Sequence, residues 1–235
     1  MATLEVRALE AGYGSARVLF GIDLELNAGE TVLLLGRNGA GKSTTLKALI
    51  GLLPVSAGEV RFEGRRIDGL QPFEIARLGL GYVPEDRRIF TGLTVAENLE
   101  VGRRPAPEGS SAWTLEKLFG LFPALASMRT RLGARMSGGE QQMLSIARTL
   151  AGNPALILLD EPSEGLAPIV VEELARVLEQ LKREGIGILL CEQNLPFARR
   201  VADRAYIVEK GSIVYSGNLA ALEANPQLRD EYLAL

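Results

Sequence analysis

Three short runs of almost uninterrupted apolar residues constrain the fold of this chain most strongly. They occupy residues 31–35, 155–159 and 186–191, and each is followed by a glycine or an acid, at Gly36, Asp160 and Glu192. Runs of this length are typical of strands that are covered on both faces, as in a parallel sheet. Segments with helical periodicity accompany them, at 43–52, 140–150 and 170–182. The pattern predicts an α/β fold around a parallel core sheet.

The remaining segments show other patterns. Short apolar or alternating runs at 4–9, 18–26, 205–208 and 212–215 predict antiparallel strands added to the core sheet, with Lys210-Gly211 as a hairpin turn. Residues 86–135 carry few strand signals and a Pro/Gly/Ser-rich break at 105–111, which indicates a helical insertion. Residues 219–235 have the pattern of one broken helix. A length of 235 residues accommodates one α/β domain with such an insertion.

The composition excludes several classes of function. A net charge of −3, from 26 basic and 29 acidic residues, argues against nucleic-acid binding through a large basic surface, so we expect no nucleic-acid partner. Histidine is absent, which excludes chemistry that needs imidazole. Cys191 is the single cysteine, so no intrachain disulfide forms. No signal peptide and no apolar run of about 18 residues is visible, and we expect a cytosolic or peripheral protein.

A glycine-rich motif follows the first apolar run. Residues 36–43 read Gly-Arg-Asn-Gly-Ala-Gly-Lys-Ser and match the phosphate-binding pattern G-x-x-x-x-G-K-[ST]. Between a buried strand and a helix, such glycines let successive backbone N–H groups point at phosphate oxygens. Lys42 can reach the β- and γ-phosphates, and the Ser43 hydroxyl can ligate Mg²⁺. The motif predicts a site for a nucleoside triphosphate with Mg²⁺.

Two acids follow the second apolar run. Asp160 lies at the carboxyl end of the predicted strand, where its carboxylate can hold Mg²⁺ through water. Glu161 comes next and can orient and deprotonate an attacking water. The pair therefore indicates hydrolysis of the bound nucleotide.

A second helix start has the features of an anion site. Ser137 is a good N-cap, and Gly138 and Gly139 allow another group to approach the backbone closely. Glu140 follows in the first turn. Because the chain already has one phosphate loop, we expect this helix start to serve a nucleotide held by another subunit.

Together, the phosphate loop, Met-Ser-Gly-Gly-Glu-Gln-Gln at 136–142 and Leu-Ile-Leu-Leu-Asp-Glu-Pro at 156–162 closely resemble an ATP-binding-cassette (ABC) ATPase over essentially the whole chain. The resemblance implies a RecA-like P-loop core sheet with an added antiparallel β subdomain and an inserted helical subdomain. It places the nucleotide-binding core at about 1–85 and 153–218, the helical subdomain at about 86–152 and a helical tail at about 219–235.

The resemblance also implies a head-to-tail dimer with two ATP molecules between the subunits. In this arrangement Ser137, Gly138, Gly139 and Glu140 face the partner's nucleotide. Tyr13 matches the aromatic residue that stacks on adenine. The nucleotide-binding residues implied are Tyr13, Gly36, Arg37, Asn38, Gly39, Ala40, Gly41, Lys42, Ser43 and Thr44.

Two positions depart from the family pattern. Glu85 stands where a glutamine is usual; its carboxylate can still ligate Mg²⁺ alongside Ser43 and Asp160, and Arg87 and Arg88 can offset its charge. Gln193 stands where most relatives carry histidine, and its amide can donate to the γ-phosphate but does not titrate near neutral pH. We therefore expect Glu161 to be the catalytic base, with Gln193 as sensor or positioning group.

With these two departures, the chain resembles one subgroup of the family, the ATP-binding subunits of branched-chain amino acid importers. The subgroup implies transmembrane permease subunits, a second ATP-binding subunit, an indirectly acting solute-binding protein, and a place at the cytoplasmic face of the membrane. The helical insertion after Glu85, with Trp113, Phe119 and Phe122, is the expected docking region, and the alternative for these three aromatic residues is a local core. Two alternatives stay open: a related urea or amide importer ATPase, and a soluble ABC-type nucleotide switch with little hydrolysis.

Overall fold

A six-stranded core sheet organises the structure, a computed structural model that describes residues 3–106 and 112–224. Its strands are β3 (Thr31–Leu35), β6 (Leu80–Val83), β7 (Leu156–Asp160), β8 (Gly187–Cys191), β9 (Arg204–Glu209) and β10 (Ser212–Asn218). Their order across the sheet is β10-β9-β3-β8-β7-β6. All neighbouring pairs are parallel except β9 with β10, which form the predicted hairpin. Every residue of β3, β7 and β8 is buried, which confirms the three core strands.

A second sheet consists of β1 (Leu4–Tyr13), β2 (Ala16–Leu26), β4 (Val55–Phe62) and β5 (Arg65–Arg66). It is antiparallel, and its strand order is β2-β1-β4-β5. The expectation that the first two strands join the core sheet is therefore wrong, and β4 and β5 were not foreseen. Alternation of apolar residues marks a strand with one buried face, but it does not specify which strand it pairs with. The antiparallel β subdomain implied by the family resemblance is confirmed.

The helices cover both faces of the core sheet. They are α1 (Lys42–Leu49), α2 (Pro72–Arg77), α3 (Val95–Gly102), α4 (Leu115–Leu121), α5 (Pro123–Ala126), α6 (Gly138–Leu150), α7 (Pro168–Arg183), α8 (Leu195–Val201) and α9 (Leu219–Ala224). The helices predicted at 43–52, 140–150 and 170–182 correspond to α1, α6 and α7. Of the predicted helical tail, α9 is described and residues 225–235 lie outside the described part.

Two apolar clusters lie on opposite faces of the core sheet. One packs α3 to α8 against side chains such as Ile157, Leu159 and Ile188. The other packs α1 and the antiparallel sheet against Leu34, Leu158 and Cys191. Successive residues of β7 belong alternately to the two clusters, so both faces of this strand are covered, as expected for a central parallel strand.

The segment between β6 and α6 is helical, as predicted, but its aromatic residues are not on the surface. Trp113, Phe119 and Phe122 are 6%, 7% and 1% exposed. They belong to the larger apolar cluster, which agrees with the alternative that they are local core residues; the helical insertion as the docking region stays a prediction. In this segment Phe90 is instead exposed, at 47%. Residues 107–111 of the predicted break lie outside the described part.

Within residues 3–106 and 112–224, no helix is both long and apolar enough to cross a bilayer.

Candidate functional site

The phosphate loop joins β3 to α1 in a conformation that requires glycine. Gly36 has a φ of 151°, and a Cβ there would lie 2.4 Å from the carbonyl oxygen of Val208. Gly41 is the N-cap of α1, with a left-handed φ of 118°. Both conformations are costly for residues with a side chain. The loop is thereby wrapped around the start of α1, whose first residue is Lys42.

Lys42 is buried, and its ammonium is compensated on several sides. Its Nζ donates to the carbonyl oxygens of Gly36, at 2.8 Å, and Arg37, at 3.4 Å. It also lies 3.4 Å from Oε1 of Glu161, and the two side chains are only 4% and 10% exposed. A buried cation needs such partners because burial removes its hydration. The ammonium is thus fixed at the inner surface of the loop.

Asp160 accepts two hydrogen bonds at the carboxyl end of β7. Ser43 Oγ donates to Oδ1 at 2.8 Å, and Tyr82 Oη donates to Oδ2 at 3.2 Å. Burial raises the pKa of Asp160, although the two hydrogen bonds favour its charged form. Burial and the charge of Asp160 in turn raise the pKa of Tyr82. Sequence reasoning paired Ser43 with Asp160 but missed Tyr82.

The donor set around Asp160 suits Mg²⁺. The Ser43 hydroxyl and the Asp160 carboxylate supply hard oxygen ligands, and Glu85 and Ser43 line one common cavity. Among the described residues, no group of three or more acidic, cysteine or histidine side chains has metal-binding geometry. This fits Mg²⁺, which usually takes one or two carboxylates and completes its shell with waters and substrate phosphates.

Glu161 is held between the phosphate loop and the loop after β8. Its backbone is left-handed, with a φ of 45°, and its N–H donates to Cys191 O at 2.9 Å. Gln193 Nε2 lies 2.8 and 2.6 Å from the two carboxylate oxygens and 2.8 Å from Asn38 Oδ1. Gln193 therefore contacts the predicted base directly, as a positioning group does.

Glu192 links the two loops from behind. It is 2% exposed, and its carboxylate accepts from the backbone N–H groups of Ser163, Gln193 and Asn194 at 3.2, 2.9 and 3.1 Å. Burial raises its pKa, opposed by these hydrogen bonds. Sequence reasoning used Glu192 only as the end of an apolar run. An acid directly after a buried strand was the signal that it has a buried role.

Lys42, Ser43, Glu161 and Gln193 line one cavity of about 310 Å³. It is lined by Asn38, Gly39, Gly41, Lys42, Ser43, Thr44, Glu85, Glu161, Glu164 and Gln193. Gly36, Arg37 and Ala40 line a neighbouring cavity of about 400 Å³ on the other side of the loop. Glu164, which sequence reasoning missed, has its pKa raised by burial and by the charges of Glu161 and Glu85.

Several predicted residues lie elsewhere. Tyr13 ends β1, is 48% exposed and lines neither cavity. Arg88 forms an ion pair with Asp86 at 2.8 Å. The Arg87 guanidinium packs against Gly138, where an added Cβ would lie 2.5 Å from Arg87 Nη1. Arg88 thus has Asp86 as its ion-pair partner and Arg87 packs against the start of α6, and the offsetting of the Glu85 charge by these arginines stays a prediction.

The start of α6 forms a complete capping box. Ser137 Oγ accepts from the Glu140 N–H at 3.3 Å, and the Glu140 carboxylate accepts from the Ser137 N–H at 2.7 Å. A Cβ on Gly139 would lie 3.1 Å from the side chain of Val170. None of the residues 137–140 lines the cavity around Lys42.

Comparison with known proteins identifies the family. The ABC transporter family model matches residues 19–164. The chain is 45% identical over 221 residues to the high-affinity branched-chain amino acid transport ATP-binding protein BraG of Pseudomonas aeruginosa, covering 94% of this chain and 95% of that protein. It is 35% identical to the lipopolysaccharide export system ATP-binding protein LptB of Escherichia coli K12, covering 99% and 98%.

Solved structures agree. A structure described as the ATP-binding subunit of an ABC transporter superposes with a TM-score of 0.84 at 32% identity, covering 99% of this chain and 96% of that one. The ADP conformation of another ABC transporter cassette gives 0.82 at 26% identity, covering 98% of each chain. The chain belongs to the ABC transporter family, and the family resemblance is confirmed. It is an ATP-binding subunit with ATPase activity.

Proposed function

We propose that this chain hydrolyses ATP to power the import of branched-chain amino acids, with Glu161 as catalytic base. The observation that carries the hydrolytic assignment is the convergence of Lys42, Ser43, Glu161 and Gln193 on one cavity, with Asp160 hydrogen-bonded to Ser43 behind it. Phosphoryl transfer depends mainly on positioning and on electrostatic stabilisation, and these side chains supply both.

Each group has a distinct role in this proposal. Lys42 exchanges its contact with Glu161 for the β- and γ-phosphates, and residues 36–41 supply backbone N–H groups. Ser43, Asp160 and Glu85 hold Mg²⁺, which neutralises charge on the phosphates when bound. Glu161, released from Lys42, accepts the proton of the attacking water while the Gln193 amide holds its carboxylate. Tyr13 stacks on adenine.

A second subunit completes the site. Residues 137–140 lie at the exposed start of α6, outside the chain's own cavity. We propose that they bind the γ-phosphate of ATP held by a second ATP-binding subunit, so that ATP joins two subunits and hydrolysis releases them. The core at about 1–85 and 153–218, the helical subdomain at about 86–152 and the tail from 219 are the units of this movement.

The substrate assignment has a separate basis. It is supported by the 45% identity to a branched-chain amino acid transport protein and by the sequence resemblance to that subgroup at Glu85 and Gln193. The 35% identity to an export-system protein means that family membership by itself does not give the direction of transport. The assignment implies permease subunits, a solute-binding protein and a location at the cytoplasmic face of the membrane, without a nucleic-acid partner.

Hydrolysis is tested by measuring ATPase rates of wild type, Glu161→Gln and the control Glu100→Gln, an exposed residue of α3 that pairs with Arg103. We expect Glu161→Gln to bind ATP and to lose at least about 100-fold in rate, because a general base contributes that much or more. The control keeps the wild-type rate. Equal, negligible rates in wild type and Glu161→Gln would favour the nucleotide-switch alternative.

The substrate is tested with the chain reconstituted in vesicles with its permease and solute-binding protein. Leucine, isoleucine or valine should stimulate hydrolysis and accumulate with ATP, whereas urea and short amides should not. Stimulation by urea alone would overturn the substrate assignment and leave the ATPase assignment intact.

A further inference from the structure

Tyr82 is placed to act on the proposed metal site without touching a phosphate. Tyr82 of β6 is in parallel register with Leu158 of β7, and Asp160 lies two residues further along the same face. Diagonal neighbours of this kind are about 7–8 Å apart at the backbone, a gap that a long aromatic side chain spans. The phenol oxygen reaches Asp160 Oδ2 at 3.2 Å.

Asp160 depends on hydrogen bonds for its orientation. It is 2% exposed, and no described lysine or arginine forms an ion pair with it. Its two oxygens are divided between two donors, Ser43 on Oδ1 and Tyr82 on Oδ2. Ser43 is itself a proposed metal ligand. Tyr82 is not, and among the described residues the hydrogen bond of its hydroxyl group is to the Asp160 carboxylate.

We propose that Tyr82 is a positioning residue for Mg²⁺, acting through Asp160. This inference rests on the proposed function of the cavity. The phenol O–H fixes the rotation of the Asp160 carboxylate, so that the carboxylate is preorganised for the cation. Partners that orient metal-binding carboxylates typically contribute 10- to 100-fold, as an order of magnitude, to metal affinity.

The test is Tyr82→Phe, which removes one oxygen atom and keeps the ring. Tyr206→Phe is the matched control: it is also a buried tyrosine of the core sheet, its hydroxyl accepts from the Glu25 N–H and from Arg204, and it lines neither cavity at the phosphate loop. Mn²⁺ serves as the probe, and its binding in the presence of ATP is followed by electron paramagnetic resonance. Retention of a fluorescent ATP analogue without metal is measured in parallel, together with the unfolding temperature.

We expect Tyr82→Phe to raise the Mn²⁺ concentration for half-saturation by about 10-fold or more. Metal-free retention of the nucleotide analogue should be unchanged, and Tyr206→Phe should bind Mn²⁺ like wild type. If Tyr82→Phe and Tyr206→Phe bind Mn²⁺ equally well, or differ only in unfolding temperature, Tyr82 is merely structural and the inference is overturned.

Ser43→Ala separates this inference from the proposed function. A loss of Mn²⁺ binding in Ser43→Ala with normal binding in Tyr82→Phe contradicts the role of Tyr82 alone. Normal Mn²⁺ binding in Ser43→Ala contradicts the proposed metal site itself, and the role of Tyr82 falls with it.

Discussion

Replacing Gln193 by alanine should slow ATP hydrolysis while leaving ATP binding nearly unchanged. The Gln193 amide contacts both oxygens of the Glu161 carboxylate, at 2.8 and 2.6 Å, and also Asn38 Oδ1 at 2.8 Å. The substitution alters neither Glu161 itself nor Lys42, whose Nζ lies 3.4 Å from Glu161 Oε1 in the structure. What the variant loses is the orientation of the base.

The magnitude follows from the kind of hydrogen bond. A hydrogen bond to a charged group contributes about 1.5–3 kcal/mol. If the contact is needed mainly in the transition state, that energy corresponds to about 10- to 150-fold in kcat, at about 1.4 kcal/mol per tenfold. The KM for ATP should change little, because the phosphate loop is untouched.

The assay is steady-state ATP hydrolysis by wild type, Gln193→Ala and the control Gln180→Ala. Gln180 makes the same type of contact, from its amide to Glu184 at 3.1 Å, on the surface of α7. The control should match wild type. A wild-type kcat in Gln193→Ala would refute the positioning role, and an equal loss in both variants would indicate a general effect of losing a glutamine.

A companion variant, Gln193→His, would introduce the only histidine of the chain. Its hydrolysis rate should gain an inflection near pH 6.5, the approximate pKa of imidazole, which wild type lacks.

Three further predictions concern stability and the loop. Asn98→Ala should lower the free energy of unfolding in urea by about 1–3 kcal/mol, since buried Asn98 satisfies the N–H and C=O of Phe90; no change would contradict this role. Gly36→Ala should both lower the melting temperature and abolish ATP retention, because its Cβ would lie 2.4 Å from Val208 O; a variant that retains ATP would show that the loop can relax. Hydrogen bonds from the Thr94 side chain and backbone lower the pKa of Glu97, so folded Glu97 binds fewer protons than unfolded Glu97. Its stabilisation is therefore complete above its unfolded pKa and is lost as the pH falls through the folded pKa; melting curves of Glu97→Gln should lack this acid-range loss.

Local sequence patterns were sufficient to predict those features whose defining residues all lie within one short segment. The buried strands β3, β7 and β8, the phosphate loop and the capped start of α6 each follow from residues a few positions apart. The positions of Lys42 and Glu161 beside the phosphate loop follow in the same way, since a motif fixes residue types and their spacing together.

Contacts between distant segments were not available from such patterns. The sequence allowed Trp113 and Phe119 to be either surface or core residues, and the structure buries them in the larger cluster. The pairing of β1 with β4, and the directions of Arg87 and Arg88, were likewise undetermined, because they depend on which segments become neighbours.

The amino-acid order by itself determined that this chain has a glycine-rich strand–loop–helix motif, an acid pair after a buried strand and a second helix with a capped start. Only the tertiary structure decided that Tyr82 reaches Asp160, 78 positions away, and that Gln193 reaches Glu161 across 32. The physical reason is that periodicity and motif geometry act over one or two turns of chain, whereas strand order in a parallel sheet is set by burial of the whole core.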